Sequence, residues 1–202
     1  MNPTGLFVTF EGIDRSGKST QARLLAESLG PDCVAVREPG GTPLGERIRE
    51  VLKDPRSEPS PRAEALLFAA ARAELATQVI APALASGRKV VCDRFLDSSL
   101  AYQGAARGVG LDVVRAINEP VLNGLSPDLT FLLDLDPDAA VDRSGALDRF
   151  ESEGLGLQAK VREAYRALAA SEPARWAVID ASEKERTIHE QVLETVRARR
   201  GG

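Results

Sequence analysis

Five short runs of apolar residues recur along the chain, each bounded by polar or turn-forming residues. The runs are GLFVTF at 5–10, CVAVR at 33–37, RKVVCD at 88–93, LTFLLDL at 129–135 and RWAVID at 175–180. Their apolar positions are continuous rather than alternating, which is typical of strands that are covered on both faces of a parallel sheet. The pattern therefore predicts five parallel strands.

Helical patterns lie between and after these runs, at 18–29, 43–52, 60–86, 113–122, 157–170 and 183–199. The third has Ser60 as its cap and Pro61 in its first turn, and Pro82 predicts a kink. Strands that alternate with helices imply right-handed crossovers and a three-layer α/β/α fold. No repeat or linker interrupts the pattern, so we expect one domain over 1–202.

The composition excludes several classes of protein. A chain of 202 residues, 43% of them hydrophobic, can bury a large core without disulfide bonds. The formal net charge of −4 gives no basic surface for nucleic acid or for an anionic membrane. Cys33 and Cys92 lie far apart in apolar runs, which indicates reduced thiols. Because no apolar run approaches the ~20 residues of a membrane span, we expect a soluble, cytoplasmic protein.

The stretch EGIDRSGKST at 11–20 is the strongest single motif. Gly12 and Gly17, followed by Lys18 and Ser19, have the spacing of a phosphate-binding loop, and the motif follows a strand and begins a helix. The glycines let backbone N–H groups point at phosphate oxygens, Lys18 reaches the outer phosphates, and the Ser19 hydroxyl can ligate Mg²⁺. Arg15 places a second cation inside this loop.

Candidate ligand-binding residues follow every predicted strand, at the edge where ligands of such folds bind. In strand order they are 14–19, then Glu38 and Pro39, Asp93 and Arg94, Arg143 and Arg149, and finally Ala181 and Ser182. Asp93 is an acid for the Mg²⁺ site. Arg94 places a cation across the cleft from Lys18, which suits a second anionic substrate because two polyanions repel each other. Glu38 is either a surface acid or a contact to substrate or to Mg²⁺-bound water.

Two clusters in the middle of the chain suit a planar ligand. Phe68 and Arg72 are four residues apart and share one helix face. They form either a core residue with an arginine at its rim, or a stacking surface with a hydrogen-bond donor. Ser99, Tyr102 and Gln103 recur at three-to-four spacing, which also suits hydrogen bonds to a planar ligand.

The phosphate-binding loop alone does not separate a kinase from a GTPase or a motor. The sequence has no N-K-x-D guanine motif, and its third strand ends in Asp93-Arg94 rather than in paired acids. The arginine favours a phosphorylated acceptor over a free nucleoside. Two alternatives stay open: another deoxynucleotide or nucleoside kinase, and a non-catalytic module that uses ATP as a switch.

Several motifs in order make the chain resemble the thymidylate kinase family, which phosphorylates dTMP with ATP. They are FEGIDRSGKSTQ, REPGGTPLGE, LLFAAARAEL, DRFLDSSLAYQG, PDLTFLLDLDP, DRFE and VIDAS. The resemblance runs from Phe7 to about Val196. It implies a P-loop, nucleoside-monophosphate-kinase-like fold with a five-stranded parallel sheet, a requirement for Mg²⁺, and a homodimer.

The resemblance also implies how ATP is held. The residues expected at its phosphates are Gly12, Ile13, Asp14, Arg15, Ser16, Gly17, Lys18, Ser19 and Thr20. Ala181 and Ser182 are implied to border adenine. Residues 136–150 match the mobile lid, and Arg143 and Arg149 are either its phosphate contacts or part of a solvated helix face.

The acceptor side follows from the same resemblance. Asp14 is implied to meet the sugar 3′-hydroxyl or Mg²⁺-bound water, and Arg94 to clamp the monophosphate. Phe68 is implied to stack on thymine and Arg72 to reach its O4. The remaining acceptor contacts are expected at Glu38, Pro39, Ser99, Tyr102 and Gln103.

Arg15 is the main departure from many bacterial members, which have a small residue there and a longer lid. The short lid and the loop arginine together look more like the eukaryotic arrangement. We therefore expect Arg15, with Lys18, Arg94 and Asp14, to carry the catalysis, and Ser19 and Asp93 to hold Mg²⁺.

Overall fold

All five predicted strands are present in the computed structural model, which describes residues 5–141 and 154–201. They are β1 (Phe7–Glu11), β2 (Cys33–Arg37), β3 (Lys89–Asp93), β4 (Leu129–Asp134) and β5 (Trp176–Asp180). They form one parallel sheet in the order β2-β3-β1-β4-β5. The central strand β1 is buried at every position, whereas the edge strand β2 is half-buried or exposed.

The helices pack on both faces of this sheet and follow the predicted pattern closely. They are α1 (Lys18–Leu29), α2 (Pro43–Lys53), α3 (Pro61–Leu75), α4 (Ala81–Ala85), α5 (Leu96–Ser99), α6 (Leu111–Leu122), α7 (Pro137–Val141), α8 (Leu155–Ser171) and α9 (Glu185–Gly201). Short π-helical segments follow α3 and α5, at Ala76–Ile80 and Leu100–Ala106. The long helix predicted over 60–86 is thus α3, a π-helical turn and α4, with Pro82 in the first turn of α4.

The helix that spans Pro61–Ala85 bears on the expectation that no apolar run approaches the length of a membrane span. Among the described residues, it is long and apolar enough to meet a length-and-composition test for a membrane span. Core helices of globular domains meet the same test, and this helix carries the fully buried ionic residues Glu64 and Arg72. It packs against α2 and α6, so we interpret it as a core helix.

The sheet order determines which loops meet. Strand β1 lies between β3 and β4, and Phe10 pairs in register with Asp93. Arg37, at the end of β2, also pairs with Asp93. The loop after β1 and the residues that follow β2 and β3 therefore converge at one carboxyl edge, where parallel sheets of this kind bind their ligands. Cys33 and Cys92 are free thiols, as predicted.

Candidate active site

The loop after β1 has a backbone that requires glycine at its first position. Gly12 has a φ of 142°, and a Cβ there would lie 2.6 Å from the carbonyl oxygen of Leu133. Gly17 is the left-handed cap of α1, with a φ of 96°. Arg15 also has a positive φ, of 62°, a conformation that non-glycine residues rarely adopt. The loop thus curls tightly over the N-terminus of α1, a position that favours anions.

Lys18 is buried and folded back onto its own loop. Its Nζ donates hydrogen bonds to the carbonyl oxygen of Ile13 at 2.5 Å and to Ser16 Oγ at 3.3 Å. Burial, together with the positive charge of Arg94, lowers the pKa of Lys18 to about 8, against the opposing effect of Asp14. The ammonium group is therefore held at the loop by weak neutral acceptors that phosphate oxygens can replace.

Ser19 and Asp93 form the second part of the phosphate site. The hydroxyl of Ser19 donates to Asp93 Oδ2 at 2.5 Å. Within the described residues, the buried Asp93 Oδ1 has no hydrogen-bond partner. Mg²⁺ prefers such oxygen ligands and binds through one or two protein groups together with water and substrate phosphates. The pair therefore fits the predicted Mg²⁺ site.

Arg94 lines the same cavity as Lys18 and is fixed there by several contacts. Its Nη2 donates to Asp14 Oδ1 at 2.5 Å, and its Nη1 donates to the carbonyl oxygen of Gly12 at 3.3 Å. The guanidinium lies over the ring of Tyr102, 5.2 Å from its centroid. Burial raises the pKa of Asp14, but the charges of Arg94 and Lys18 outweigh it and leave that pKa below its usual value.

Glu11, which the sequence analysis did not single out, supports this arginine from behind. Its carboxylate accepts hydrogen bonds from the backbone N–H of Phe95 at 2.7 Å, Ser98 Oγ at 2.6 Å and Tyr165 Oη at 2.8 Å. Ser98 Oγ in turn lies 3.3 Å from Arg94 Nη1. Burial raises the pKa of Glu11 to about 7. The sequence feature that could have identified Glu11 is an acidic residue at the end of an apolar strand.

A cavity of about 250 Å³ opens between the loop and α3. It brings together most of the residues predicted for the acceptor and catalytic roles: Asp14, Arg15, Lys18, Ser19, Glu38, Pro39, Phe68, Asp93, Arg94, Tyr102 and Gln103. It also contains four residues that the sequence analysis missed: Arg37, Arg49, Lys53 and Ser98. We call it the acceptor cavity. Its wall is rich in cations, although the whole chain is acidic.

Arg72 and Ser99 lie behind the wall of this cavity. Arg72 is fully buried and donates to Glu38 Oε2 at 2.9 Å, to Asn118 Oδ1 at 2.7 Å and to Ser99 Oγ at 3.0 Å. The interpretation of Phe68 as core and Arg72 as rim is therefore wrong, because Phe68 is half-buried at the cavity and Arg72 is the buried one. A contact of Arg72 with a base stays a prediction.

A second groove, of about 490 Å³, lies on the other side of the loop. Its wall is formed by residues 15–21 together with Glu183, Glu185 and Ile188. Ala181 and Ser182 come just before this wall: Ala181 is buried, with its N–H bonded to the carbonyl oxygen of Asp134, and Ser182 is exposed. We call it the donor groove.

Three loop residues, Arg15, Lys18 and Ser19, line both the acceptor cavity and the donor groove. Arg15 also borders a small cavity beside Pro137 and Val141, at the base of the predicted lid. Arg143 and Arg149 lie outside the described residues. Within the described part of the chain, the loop is therefore where the two spaces meet.

Comparison with known proteins agrees with the family resemblance seen in the sequence. The family model described as thymidylate kinase matches residues 10–192. The chain is 51% identical over 197 residues to the thymidylate kinase of Pelotomaculum thermopropionicum, and the aligned region covers 94% of this chain and 91% of that protein. The chain belongs to the thymidylate kinase family. The thymidylate kinase of Deinococcus radiodurans is 46% identical over 201 residues, covering 96% of this chain and 98% of that protein.

A crystal structure of a thymidylate kinase from Ehrlichia chaffeensis has the same fold. It superposes with a TM-score of 0.79 at 34% identity and covers 96% of this chain and 99% of its own. The predicted thymidylate kinase family, the P-loop kinase fold and the enzyme class, an ATP-dependent phosphotransferase, are therefore confirmed. No comparison favours the alternative kinases or the ATP switch.

Proposed function

We propose that this chain transfers the γ-phosphoryl group of ATP to dTMP, giving dTDP and ADP. One observation carries the proposal: Arg15, Lys18 and Ser19 line both the donor groove and the acceptor cavity. A phosphoryl group that moves from one space to the other passes these side chains. Catalysis of this reaction consists mainly of positioning and of charge neutralisation, and the loop offers both.

The acceptor cavity has the chemistry of a nucleoside monophosphate site. Arg94 is fixed by Asp14 at the end near the loop, and Arg37, Arg49 and Lys53 add positive charge at the same cavity. Phe68 offers an aromatic surface for a base. A monophosphate binds such cations through charge-assisted hydrogen bonds, which are the stronger class. A free nucleoside has no phosphate with which to form such bonds.

Each loop residue has a distinct part in the transfer. Lys18 exchanges the carbonyl oxygen of Ile13 for phosphate oxygens of ATP, and Arg15 stabilises the charge on the transferred group. Ser19 and Asp93 would hold Mg²⁺, which, when bound, supplies positive charge to the phosphates. No strong general base is needed, because the acceptor is already an ionised phosphate oxygen. Closure of a lid over the site would exclude water and favour transfer over hydrolysis.

The same proposal includes a homodimer in the cytoplasm. Three neighbouring helices, α2, α3 and α6, expose the apolar side chains Val51, Leu66 and Val113, which supports an interface between two copies. The free thiols Cys33 and Cys92 suit a reducing compartment. Light scattering should give the mass of two chains, and Leu66→Glu should give the mass of one. A wild-type mass of one chain would remove the dimer from the proposal.

An acceptor screen tests the activity. ADP release from ATP and Mg²⁺ is measured with dTMP, dUMP, dCMP, dGMP and thymidine, and the products are identified by ³¹P NMR. We expect dTMP to be the preferred acceptor and Lys18→Met to lose turnover, while Lys160→Met on the exposed face of α8 retains it. Preference for thymidine would indicate a nucleoside kinase. ATP binding without transfer to any acceptor would indicate a switch module.

A further inference from the structure

Gln103 lines the acceptor cavity, and its amide nitrogen is turned away from it. The Nε2 atom donates a hydrogen bond to Glu64 Oε1 at 2.8 Å. Both residues are 1% exposed, and Glu64 lies in the first turn of α3, behind the cavity wall. The amide oxygen is the atom of this group that remains for a ligand.

The chemistry of Glu64 determines this orientation. An ionised carboxylate only accepts hydrogen bonds, so the amide nitrogen of Gln103 must face it. Arg107 is the ion-pair partner of this carboxylate, since its Nε lies 2.6 Å from the same Glu64 Oε1 atom. A flipped amide would place the oxygen of Gln103 against a carboxylate oxygen, which is repulsive. Glu64 and Arg107 thus determine which polar atom Gln103 presents to the cavity.

We propose that Glu64 is a positioning residue for base selection: it fixes the Gln103 amide so that its oxygen accepts a hydrogen bond from a ring N–H of the acceptor base. This inference rests on the proposed function and names a selecting group within that site. The base ring of thymine or uracil carries an imide N–H that matches this oxygen. Cytosine has an acceptor nitrogen at that position, so a cytosine nucleotide meets acceptor against acceptor.

A second acceptor on the same wall adds to this selection. Glu38 also lines this cavity, and its buried Oε1 atom has no hydrogen-bond partner among the described residues. Its other oxygen is held by Arg72 Nη2 at 2.7 Å, in a pair that is almost completely buried. The cavity therefore presents acceptor atoms at two points. A mismatch that leaves one buried acceptor unpaired corresponds to roughly 10- to 100-fold in discrimination.

A double-mutant cycle on Glu64 and Arg107 tests the proposal, with kcat/KM for dTMP, dUMP and dCMP as the readout. In Arg107→Met, Glu64 still accepts from Gln103, so the preference for dTMP over dCMP should stay within about threefold of wild type. In Glu64→Gln, Arg107 still donates to the new amide oxygen and keeps it facing Gln103, so the preference for dTMP over dCMP should also persist. With both substitutions, residue 64 can donate as well as accept, and Gln103 is free to flip.

We therefore expect the dTMP preference to fall roughly 10- to 100-fold only in the double variant. The loss should be in the ratio, with dCMP gaining and kcat for dTMP changing little. A purely structural role would lower activity on all acceptors and would leave the ratio unchanged. An unchanged ratio in the double variant, or a full loss in Arg107→Met alone, would overturn the proposal.

A measurement on the wild-type enzyme covers the case in which the double variant does not fold. The side-chain NH₂ of Gln103, buried against Glu64, should show slow hydrogen exchange that persists when dTMP binds. Rapid exchange in the dTMP complex would contradict the proposal. Failure of the wild-type enzyme to phosphorylate any monophosphate would instead contradict the proposed function, so the two failures are distinguishable.

Discussion

Asp14 Oδ1 and Arg94 Nη2 lie 2.5 Å apart, and this ion pair joins the loop after β1 to the end of β3. Gln158 of α8 fixes the other carboxylate oxygen: its Nε2 donates to Asp14 Oδ2 at 2.8 Å. Arg94 and Arg15 are two of the three non-glycine residues with a positive φ in the described part of the chain. Strained backbone of this kind costs about 1–3 kcal/mol per residue and clusters at functional sites. The ion pair therefore holds the acceptor arginine in place before substrate arrives.

Asp14→Asn should weaken dTMP binding by roughly 10- to 100-fold, because a charge-assisted bond to Arg94 is worth about 1.5–3 kcal/mol. Steady-state KM and kcat for dTMP, together with equilibrium binding, measure the effect. Asp54→Asn is the control, since Asp54 lies just after α2, pairs with the exposed Arg56 and does not line the acceptor cavity. An unchanged dTMP affinity in Asp14→Asn would remove the positioning role of this pair.

Arg15→Ala should lower kcat by roughly 10³- to 10⁵-fold, the range for an arginine that stabilises a transferring phosphoryl group. The dTMP dissociation constant should stay near the wild-type value, since Arg94 remains. Arg23→Ala, at an exposed position of α1, removes the same side chain away from the site and should leave turnover unchanged. Near-normal turnover in Arg15→Ala would contradict this role of Arg15 and would favour the lid arginines as the residues that stabilise the transferring phosphoryl group.

Glu11 predicts a pH dependence of stability. Burial raises its pKa from the ordinary value of 4.5 to about 7, so the folded chain keeps a proton that the unfolded chain releases. This contribution is fully present below pH 4.5 and is lost as the pH rises through about 7. Denaturant unfolding should therefore show a falling free energy of unfolding across this window. Glu11→Gln, which carries no ionisable proton there, should make the profile less steep, although burial also raises the pKa of Glu38 to about 7 and so keeps part of the fall. An equally steep profile would contradict the assignment.

The two loop glycines should differ in their tolerance of alanine. At Gly12 a Cβ would lie 2.6 Å from a backbone oxygen, so Gly12→Ala should distort the loop and abolish ATP binding. At Gly17 the space is open, and only the positive φ opposes the change, at about 1 kcal/mol. Gly30→Ala has the same open space and a φ of 87° and is the matched control away from the loop. Calorimetric titration with ATP measures all three.

The strands and the loop could be predicted because their signals are local. Continuous apolar runs mark buried parallel strands, and the spacing of Gly12, Gly17 and Lys18 is contained in seven residues. The sheet order could not be predicted, because an apolar run carries no information about its neighbours. The buried pair of Glu38 and Arg72 is also non-local, since its members are 34 residues apart.

The sequence predicted Ser99 at the acceptor cavity, whereas the structure places Ser98 there. The difference has a geometric cause. The prediction assumed α-helical spacing, whereas the segment after α5 is π-helical. A π-helix bonds residues five apart, so positions four and five apart share a face. Ser98 therefore lies on the face of Tyr102 and Gln103, and Ser99 turns back to Arg72.

The central claim is that the donor groove and the acceptor cavity form one site joined at the loop. A dinucleotide with adenosine and thymidine linked through five phosphates would fill both spaces at once. Inhibition kinetics against each substrate, with binding stoichiometry from calorimetry, test this directly. We expect one molecule per chain that competes with both ATP and dTMP. Competition with only one substrate, or two molecules bound per chain, would contradict the claim.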